Sequence, residues 1–96
     1  MIIKYSPYFF ERLKKVDVRI RKSVKERILL FSKNPYDPKL NNHSLKKEYQ
    51  GYRSIDVTAD WRVFYKELQE GNEKMYISLL LELTKNYINS LLYQSN

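Results

Sequence analysis

The chain contains no cysteine among its 96 residues. Disulfide bonds, zinc–thiolate sites and a cysteine nucleophile are therefore excluded. Because disulfides persist mainly in oxidising compartments, the absence of cysteine fits a cytoplasmic location without requiring one.

Long apolar runs are also absent from the sequence. The longest, Leu79 to Leu81 with its flanking residues, falls far short of the roughly 18–20 apolar residues that a membrane-spanning helix needs. The apolar start of the chain, Met1 to Tyr5, is too short for the core of a signal peptide. We therefore expect a soluble protein without a membrane partner.

Acidic residues are few relative to basic ones: 11 Asp and Glu face 18 Lys and Arg, which gives a formal net charge of +7. Such an excess on a small domain favours a polyanionic partner, because each phosphate contact releases counterions. The alternative is a basic surface that serves only solubility. The 9 tyrosines could stack on nucleobases, although most of them are expected in the core or at interfaces.

The first third of the sequence is typical of one strand and two helices. Ile2 to Tyr5 predicts a short strand. Ser6-Pro7 predicts a helix start, since a hydroxyl cap is followed by proline at the first helical position. Asp17 is expected to cap a second helix, which Asn34-Pro35 ends. That helix carries an apolar stripe at helical spacing: Ile20, Val24, Ile28 and Phe31.

After Asn42 the apolar period changes to that of strands. Alternating runs predict strands over 52–58, 61–68 and 74–82, and the tail from Tyr87 to Tyr93 predicts a short helix. The 96 residues are expected to form one domain, 1–96. The predicted fold class is α+β, with two N-terminal helices packed on a twisted antiparallel sheet of about four strands. The expected core contains Ile20, Val24, Ile28, Phe31, Val63, Leu79 and Leu81.

The segment from His43 to Lys66 carries the most specific pattern in the chain. It places a histidine, a Gly-Tyr-Arg, an Asp-Trp and a Tyr-Lys at set spacings: His43, Gly51-Tyr52-Arg53, Asp60-Trp61 and Tyr65-Lys66. This pattern resembles the corresponding stretch of YafQ-type and related RelE toxins of the RelE/ParE superfamily. The resemblance covers most of the chain, up to the end of the last predicted strand.

The resemblance implies a RelE-like fold and a specific function. RelE/YafQ-like proteins are toxins of type II toxin–antitoxin systems that enter the ribosomal A site and cut translated mRNA there. The implied reaction is attack of the ribose 2′-hydroxyl on the adjacent phosphate, which needs a base, an acid and cations but no metal or other cofactor. The implied partners are a cognate antitoxin protein, the ribosome with its rRNA, and mRNA.

Candidate catalytic residues combine side-chain chemistry with the resemblance. His43 is the only histidine, the residue type best suited to acid–base work near neutral pH. Asp60 could act as a base or orient one, and Arg62 could hold a phosphate bidentately. Tyr87 or Tyr93 in the tail could protonate the leaving oxygen. The candidate RNA-binding residues are Lys46, Lys47, Arg53, Trp61, Lys66 and Lys85.

Each of these candidates has a structural alternative. His43 could be a structural or solvated loop residue. Asp60 could close the turn before the next strand by bonding its own backbone. Trp61 could be a core anchor, and Arg53 and Arg62 could be solvated arginines on strands.

The C-terminal segment departs from the YafQ pattern. YafQ-like members carry a catalytic arginine on the last strand and a catalytic histidine in the tail, whereas the matching positions here are Leu83 and Tyr87. RelE works without histidine, through lysine, arginine and a late tyrosine, and Tyr87 or Tyr93 with Lys85 could supply that arrangement. Two alternatives stay open: a catalytically weak or inactive protein that acts by binding its antitoxin, and a ParE-like protein that poisons DNA gyrase.

Overall fold

The computed structural model describes residues 1–83, with side chains described for all of these except 70, 75 and 77–83. In chain order the helices and strands are β1 (Ile2–Tyr5), α1 (Pro7–Lys15), α2 (Val18–Lys33), β2 (His43–Ser44), β3 (Arg53–Asp56), β4 (Trp61–Glu70) and β5 (Glu73–Leu83). Two short 3₁₀ helices, Pro38–Leu40 and Lys47–Tyr49, flank β2. The predicted C-terminal helix, Tyr87 to Tyr93, lies outside the described residues.

Both predicted helix starts are confirmed by their caps. The Ser6 hydroxyl accepts a hydrogen bond from the Phe9 backbone N–H at 3.3 Å, and the Asp17 carboxylate accepts one from Ile20 N–H at 3.0 Å. Such caps each stabilise a helix by about 0.5–2 kcal/mol. The second helix ends at Lys33 because the proline two residues later disfavours helical geometry in the residue before it. Neither helix in residues 1–83 is long and apolar enough to cross a membrane.

The sheet has the strand order β1-β5-β4-β3-β2. Strands β2 to β5 form the predicted four-stranded antiparallel part. β1 adds a fifth strand that runs parallel to β5, with Ile3 opposite Tyr76. Parallel neighbours need a long crossover connection, and α1 and α2 lie on the chain between these two strands.

One register shift in the β4–β5 pair sets which side chains face the helices. Phe64 pairs with Leu80, but Tyr65 pairs with Ser78, so Leu79 is an extra residue in β5. Because strand side chains alternate between faces, the extra residue puts Tyr76 on the same face as Tyr65. There the ring of Phe31 meets Tyr65 and Tyr76 edge-on, at centroid distances of 5.0 and 5.1 Å.

The main core lies between the helices and this face of the sheet. Val24, Phe31 and Val63 are buried in it as predicted, and Ile20 and Ile28 are half-buried at its margin. The side chains of Leu79 and Leu81 lie outside the described set. The other face of the sheet carries a smaller apolar cluster, made of Leu45 and Phe64 with Tyr49 and Tyr52.

Candidate active site

Strand pairing places the candidate histidine on the face of the sheet that points away from the helices. His43 lies opposite Ser54, and Ser54 lies opposite Phe64. Residues directly opposite each other in an antiparallel pair share a face, as do alternate residues along one strand. We call this side the distal face and define it by His43, Tyr52, Ser54, Asp56, Arg62, Phe64 and Lys66.

Two cations of the candidate set lie on the distal face with the histidine. Arg62 lies two residues before Phe64 along β4, and Lys66 lies two residues after it. With a strand rise of about 3.3 Å and a strand spacing of about 4.8 Å, each Cα lies about 12 Å from that of His43. Long basic side chains and a phosphodiester can bridge such a separation. His43, Arg62 and Lys66 are therefore brought together as one surface.

The imidazole of His43 is half-buried and held by a backbone carbonyl. Its Nδ1 lies 2.7 Å from the carbonyl oxygen of Asn41. A carbonyl oxygen only accepts hydrogen bonds, so Nδ1 carries the proton and donates it. In the neutral ring, Nε2 is then the nitrogen with a free lone pair, as a general base requires.

Asn41 also connects the histidine loop to β3. Its backbone is left-handed, with φ of 46°, which asparagine tolerates better than most residues. Its side-chain amide donates to Asp56 Oδ2 at 3.2 Å. The other carboxylate oxygen of Asp56 is buried and has no hydrogen-bond partner among the described residues. Neither residue was among the sequence candidates.

An aromatic cluster brings the lysine loop to the distal face. Phe64 is almost fully buried, and the ring of Tyr49 stands edge-on to it at 5.0 Å. Tyr49 ends the short helix that begins at Lys47, so Lys46 and Lys47 are exposed beside this face. Lys66 Nζ lies 5.6 Å from the ring centroid of Tyr52, a distance typical of a cation–π contact.

Arg53 is placed on the opposite, helix-facing side of the sheet. It lies opposite Tyr65, and its Nε donates to Asn42 Oδ1 at 2.8 Å. Asn42 in turn donates to the Tyr65 hydroxyl at 2.7 Å and to the Pro35 carbonyl at 2.8 Å. The guanidinium of Arg53 also lies 5.7 Å from the ring centroid of Tyr36. The structure thus gives Arg53 a role in joining the loop after α2 to the sheet.

Burial raises the pKa of the Tyr65 hydroxyl above its ordinary value. The hydrogen bond from Asn42 and the positive charge of Arg53 offset this effect only in part. The neutral phenol is therefore the form that the folded state stabilises.

Trp61 and Asp60 also lie apart from the histidine. Trp61 packs against the main core, with the guanidinium carbon of Arg12 5.5 Å from its ring centroid. Asp60 is exposed in the turn before β4. The Thr58 hydroxyl, which accepts from the backbone N–H groups of Asp60 and Trp61 at 3.3 and 3.1 Å, closes that turn.

Three candidates, Lys85, Tyr87 and Tyr93, lie outside the described residues. Within residues 1–83 there is no group of three or more His, Cys, Asp or Glu side chains arranged to hold a metal ion.

A partial sequence signal existed for Asp56, because its alternation with Ser54 puts it on the distal face. Asn41 lacked such a signal, since its contacts depend on the path of the loop.

The fold is closely similar to solved structures of bacterial toxins. YafQ from E. coli strain BL21(DE3) is 25% identical, with a TM-score of 0.70 over 88% of this chain and 93% of that one. A YoeB/ParE toxin from Agrobacterium tumefaciens is 19% identical, with a TM-score of 0.70 over 86% and 98%. The RelBE2 toxin–antitoxin complex of Mycobacterium tuberculosis contains a chain that is 18% identical, with a TM-score of 0.67 over 85% and 95%.

These likenesses show that the chain has the fold of RelE-type toxins. Sequence comparison alone adds nothing, since no protein-family model and no curated protein matches the chain. The chain has the fold of RelE/YafQ-like toxins of the RelE/ParE superfamily, the family that the His43 to Lys66 pattern resembles.

Proposed function

We propose that this protein is the toxin of a type II toxin–antitoxin module and a ribosome-dependent endoribonuclease that cuts translated mRNA in the A site. The observation that carries the proposal is the placement of His43, Arg62 and Lys66 on one face of the sheet. The likeness to YafQ supports the same assignment.

The distal face supplies the groups that cleavage of RNA by its own 2′-hydroxyl needs. His43 Nε2 takes the proton from the 2′-hydroxyl as that oxygen attacks the adjacent phosphorus. Arg62 stabilises the negative charge that develops on the phosphorane, because a guanidinium can donate two parallel hydrogen bonds to phosphate oxygens. Lys46, Lys47 and Lys66 hold the flanking phosphates.

We assign the base role to His43 rather than to Asp60. Asp60 precedes the first residue of β4. It lies two strands away from His43 and about four residues, or 13 Å, along the strand from Phe64, the β4 residue level with His43. Asp60 therefore lies outside the group of residues that can contact one phosphodiester together. Tyr87 or Tyr93, with Lys85 nearby in the sequence, is proposed to protonate the leaving 5′-oxygen.

The proposed protein partner is an acidic antitoxin. The chain has a net charge of +7, which an acidic partner would neutralise. The structural neighbour from Mycobacterium tuberculosis is itself a toxin–antitoxin complex. Binding of such a partner is expected to compete with binding of the polyanionic ribosome.

Induced expression in a bacterium tests the proposed activity. Primer extension on a translated message should show new 5′ ends within codons for the wild-type protein and none for His43→Gln, which keeps a polar side chain but cannot take up a proton. Arg19→Ala on the exposed surface of α2 is the control and should cut like wild type. Growth arrest by wild type without any new 5′ ends would instead indicate a protein that acts by binding, for example to DNA gyrase.

A further inference from the structure

Asn41 is bonded through its backbone and its side chain at once. Its N–H donates to the Pro38 carbonyl at 3.2 Å, and its own carbonyl accepts the Nδ1 proton of His43 at 2.7 Å. Its side-chain amide donates to Asp56 Oδ2 at 3.2 Å. One residue thus joins the turn before β2, the candidate base and the third strand.

The link to Asp56 lies where the backbone pairing of β2 with β3 has ended. The two strands pair only at His43 with Ser54 and at Ser44 with Arg53. Continued in the same register, the pairing would bring Asn41 opposite Asp56. The left-handed backbone of Asn41 breaks the strand at that point, and its side chain makes the cross-strand bond that the backbone no longer makes.

This geometry matters for the histidine because two residue pairs are a weak anchor for a catalytic side chain. A ring held only by the short strand could rotate about its side-chain torsions and exchange its two nitrogens. The carbonyl of Asn41 prevents this, provided that Asn41 itself is held in place. Asp56 holds it from the adjacent strand.

We infer that Asn41 is the positioning residue of His43, anchored by Asp56, and that it holds the imidazole with Nδ1 protonated and Nε2 free to accept the 2′-hydroxyl proton. The inference rests on the proposed nuclease function. Asparagine suits the position because it combines tolerance of a left-handed backbone with an amide donor. Glycine would keep the backbone but lose the donor, and aspartate would place a second carboxylate against Asp56.

The tautomer of His43 can be measured directly, because His43 is the only histidine in the chain. A long-range ¹H–¹⁵N spectrum of the free protein, recorded where the ring is neutral, contains one imidazole. Wild type should show the proton on Nδ1. Asn41→Gly and Asp56→Ala should each give a mixture of tautomers, whereas Asn72→Gly in the exposed β4–β5 turn should leave the spectrum unchanged.

The rate of mRNA cleavage on programmed ribosomes should change together with the tautomer of His43. Asn41→Gly and Asp56→Ala should each lower the single-turnover rate by about tenfold to a hundredfold, since small misplacements of a catalytic group have effects of that size, while KM stays unchanged. The double variant should be no slower than the slower single variant, because both substitutions break one linkage. Asp56→Asn keeps an acceptor oxygen and should restore most of the rate.

The readouts separate this inference from the proposed function. A wild-type ring with its proton on Nε2 would overturn the inference, and so would an unchanged tautomer in both variants or fully additive rate effects. Failure of wild type to cleave at all would contradict the nuclease proposal, whereas the tautomer would still decide the role of Asn41. If Asn41→Gly fails to fold, Asp56→Ala leaves the loop residue intact and provides the same test.

Discussion

Arg62 stands directly opposite Asp56 in the pairing of β3 with β4, on the face of the sheet that carries His43. Side chains in such positions have Cβ atoms about 4.5–5.5 Å apart. The carboxylate of Asp56 therefore lies within reach of the Arg62 side chain. The strand pairing thus places the cation on the distal face, where the proposed reaction develops negative charge on the phosphate.

Loss of Arg62 should affect the rate of cleavage far more than ribosome binding. We expect Arg62→Ala to lower the single-turnover rate about 100- to 1,000-fold, the effect typical of removing one preorganised donor to a developing oxyanion. Arg62→Lys should recover only part of the rate, because an ammonium cannot donate two parallel hydrogen bonds. Arg19→Ala on α2 serves as the control. A rate for Arg62→Ala equal to that of wild type would remove Arg62 from the site.

The lysines beside the distal face should determine the salt dependence of ribosome binding. Each of Lys46→Ala, Lys47→Ala and Lys66→Ala is expected to reduce the slope of log K against log salt concentration by about 0.7–0.9, the contribution of one phosphate contact. Lys25→Ala, on the exposed side of α2, should leave the slope unchanged. Equal slopes for all four variants would show that the ribosome is bound through another surface.

Arg53 should prove more important for stability than for chemistry. Arg53→Ala breaks the hydrogen bond to Asn42 and leaves that side chain underbonded, so the free energy of unfolding should fall by about 1–3 kcal/mol. Cleavage at a temperature where the variant is folded should fall much less than for Arg62→Ala. Urea denaturation and single-turnover rates measure the two effects. A stable but inactive Arg53→Ala would place Arg53 in contact with RNA instead.

Tyr65 should make the protein less stable at alkaline pH. Burial raises the pKa of its hydroxyl in the folded state above the ordinary value of 10.0, so the unfolded chain loses this proton first. The stabilisation is complete below pH 10 and is lost as the pH rises towards the folded-state pKa, at up to about 1.4 kcal/mol per pH unit. Tyr65→Phe should be less stable at neutral pH but show a shallower alkaline decline in urea denaturation. An unchanged alkaline slope would contradict the assignment.

Local features of the fold could be predicted from sequence because their causes are local. Ser6 and Asp17 cap their helices through atoms only three residues away, and alternation located β3 to β5. The parallel pairing of β1 with β5 and the extra residue at Leu79 depend on contacts between distant parts of the chain. Short-range patterns do not encode such contacts.

The sequence predicted most of the candidate residues, but it did not predict which of them lie on the same face of the sheet. The motif lists Arg53 and His43 together, yet Arg53 shares its face with Tyr65 and His43 shares its face with Ser54. Successive residues of a strand point to opposite faces, and the register between β2 and β3 decides which residues of β3 share a face with His43. Asn41 and Asp56 escaped prediction because their contact joins residues that are 15 positions apart through a loop.

The most direct test of the account is single-turnover cleavage of mRNA on programmed ribosomes by wild type and His43→Ala. We predict cleavage by wild type and a rate at least about 100-fold lower for the variant, since general acid–base groups contribute about 10²- to 10⁴-fold. Thermal unfolding and antitoxin binding should be the same for both proteins, because His43 lies outside both apolar clusters of the fold. Equal rates for the two proteins, or no cleavage by wild type, would contradict the central claim.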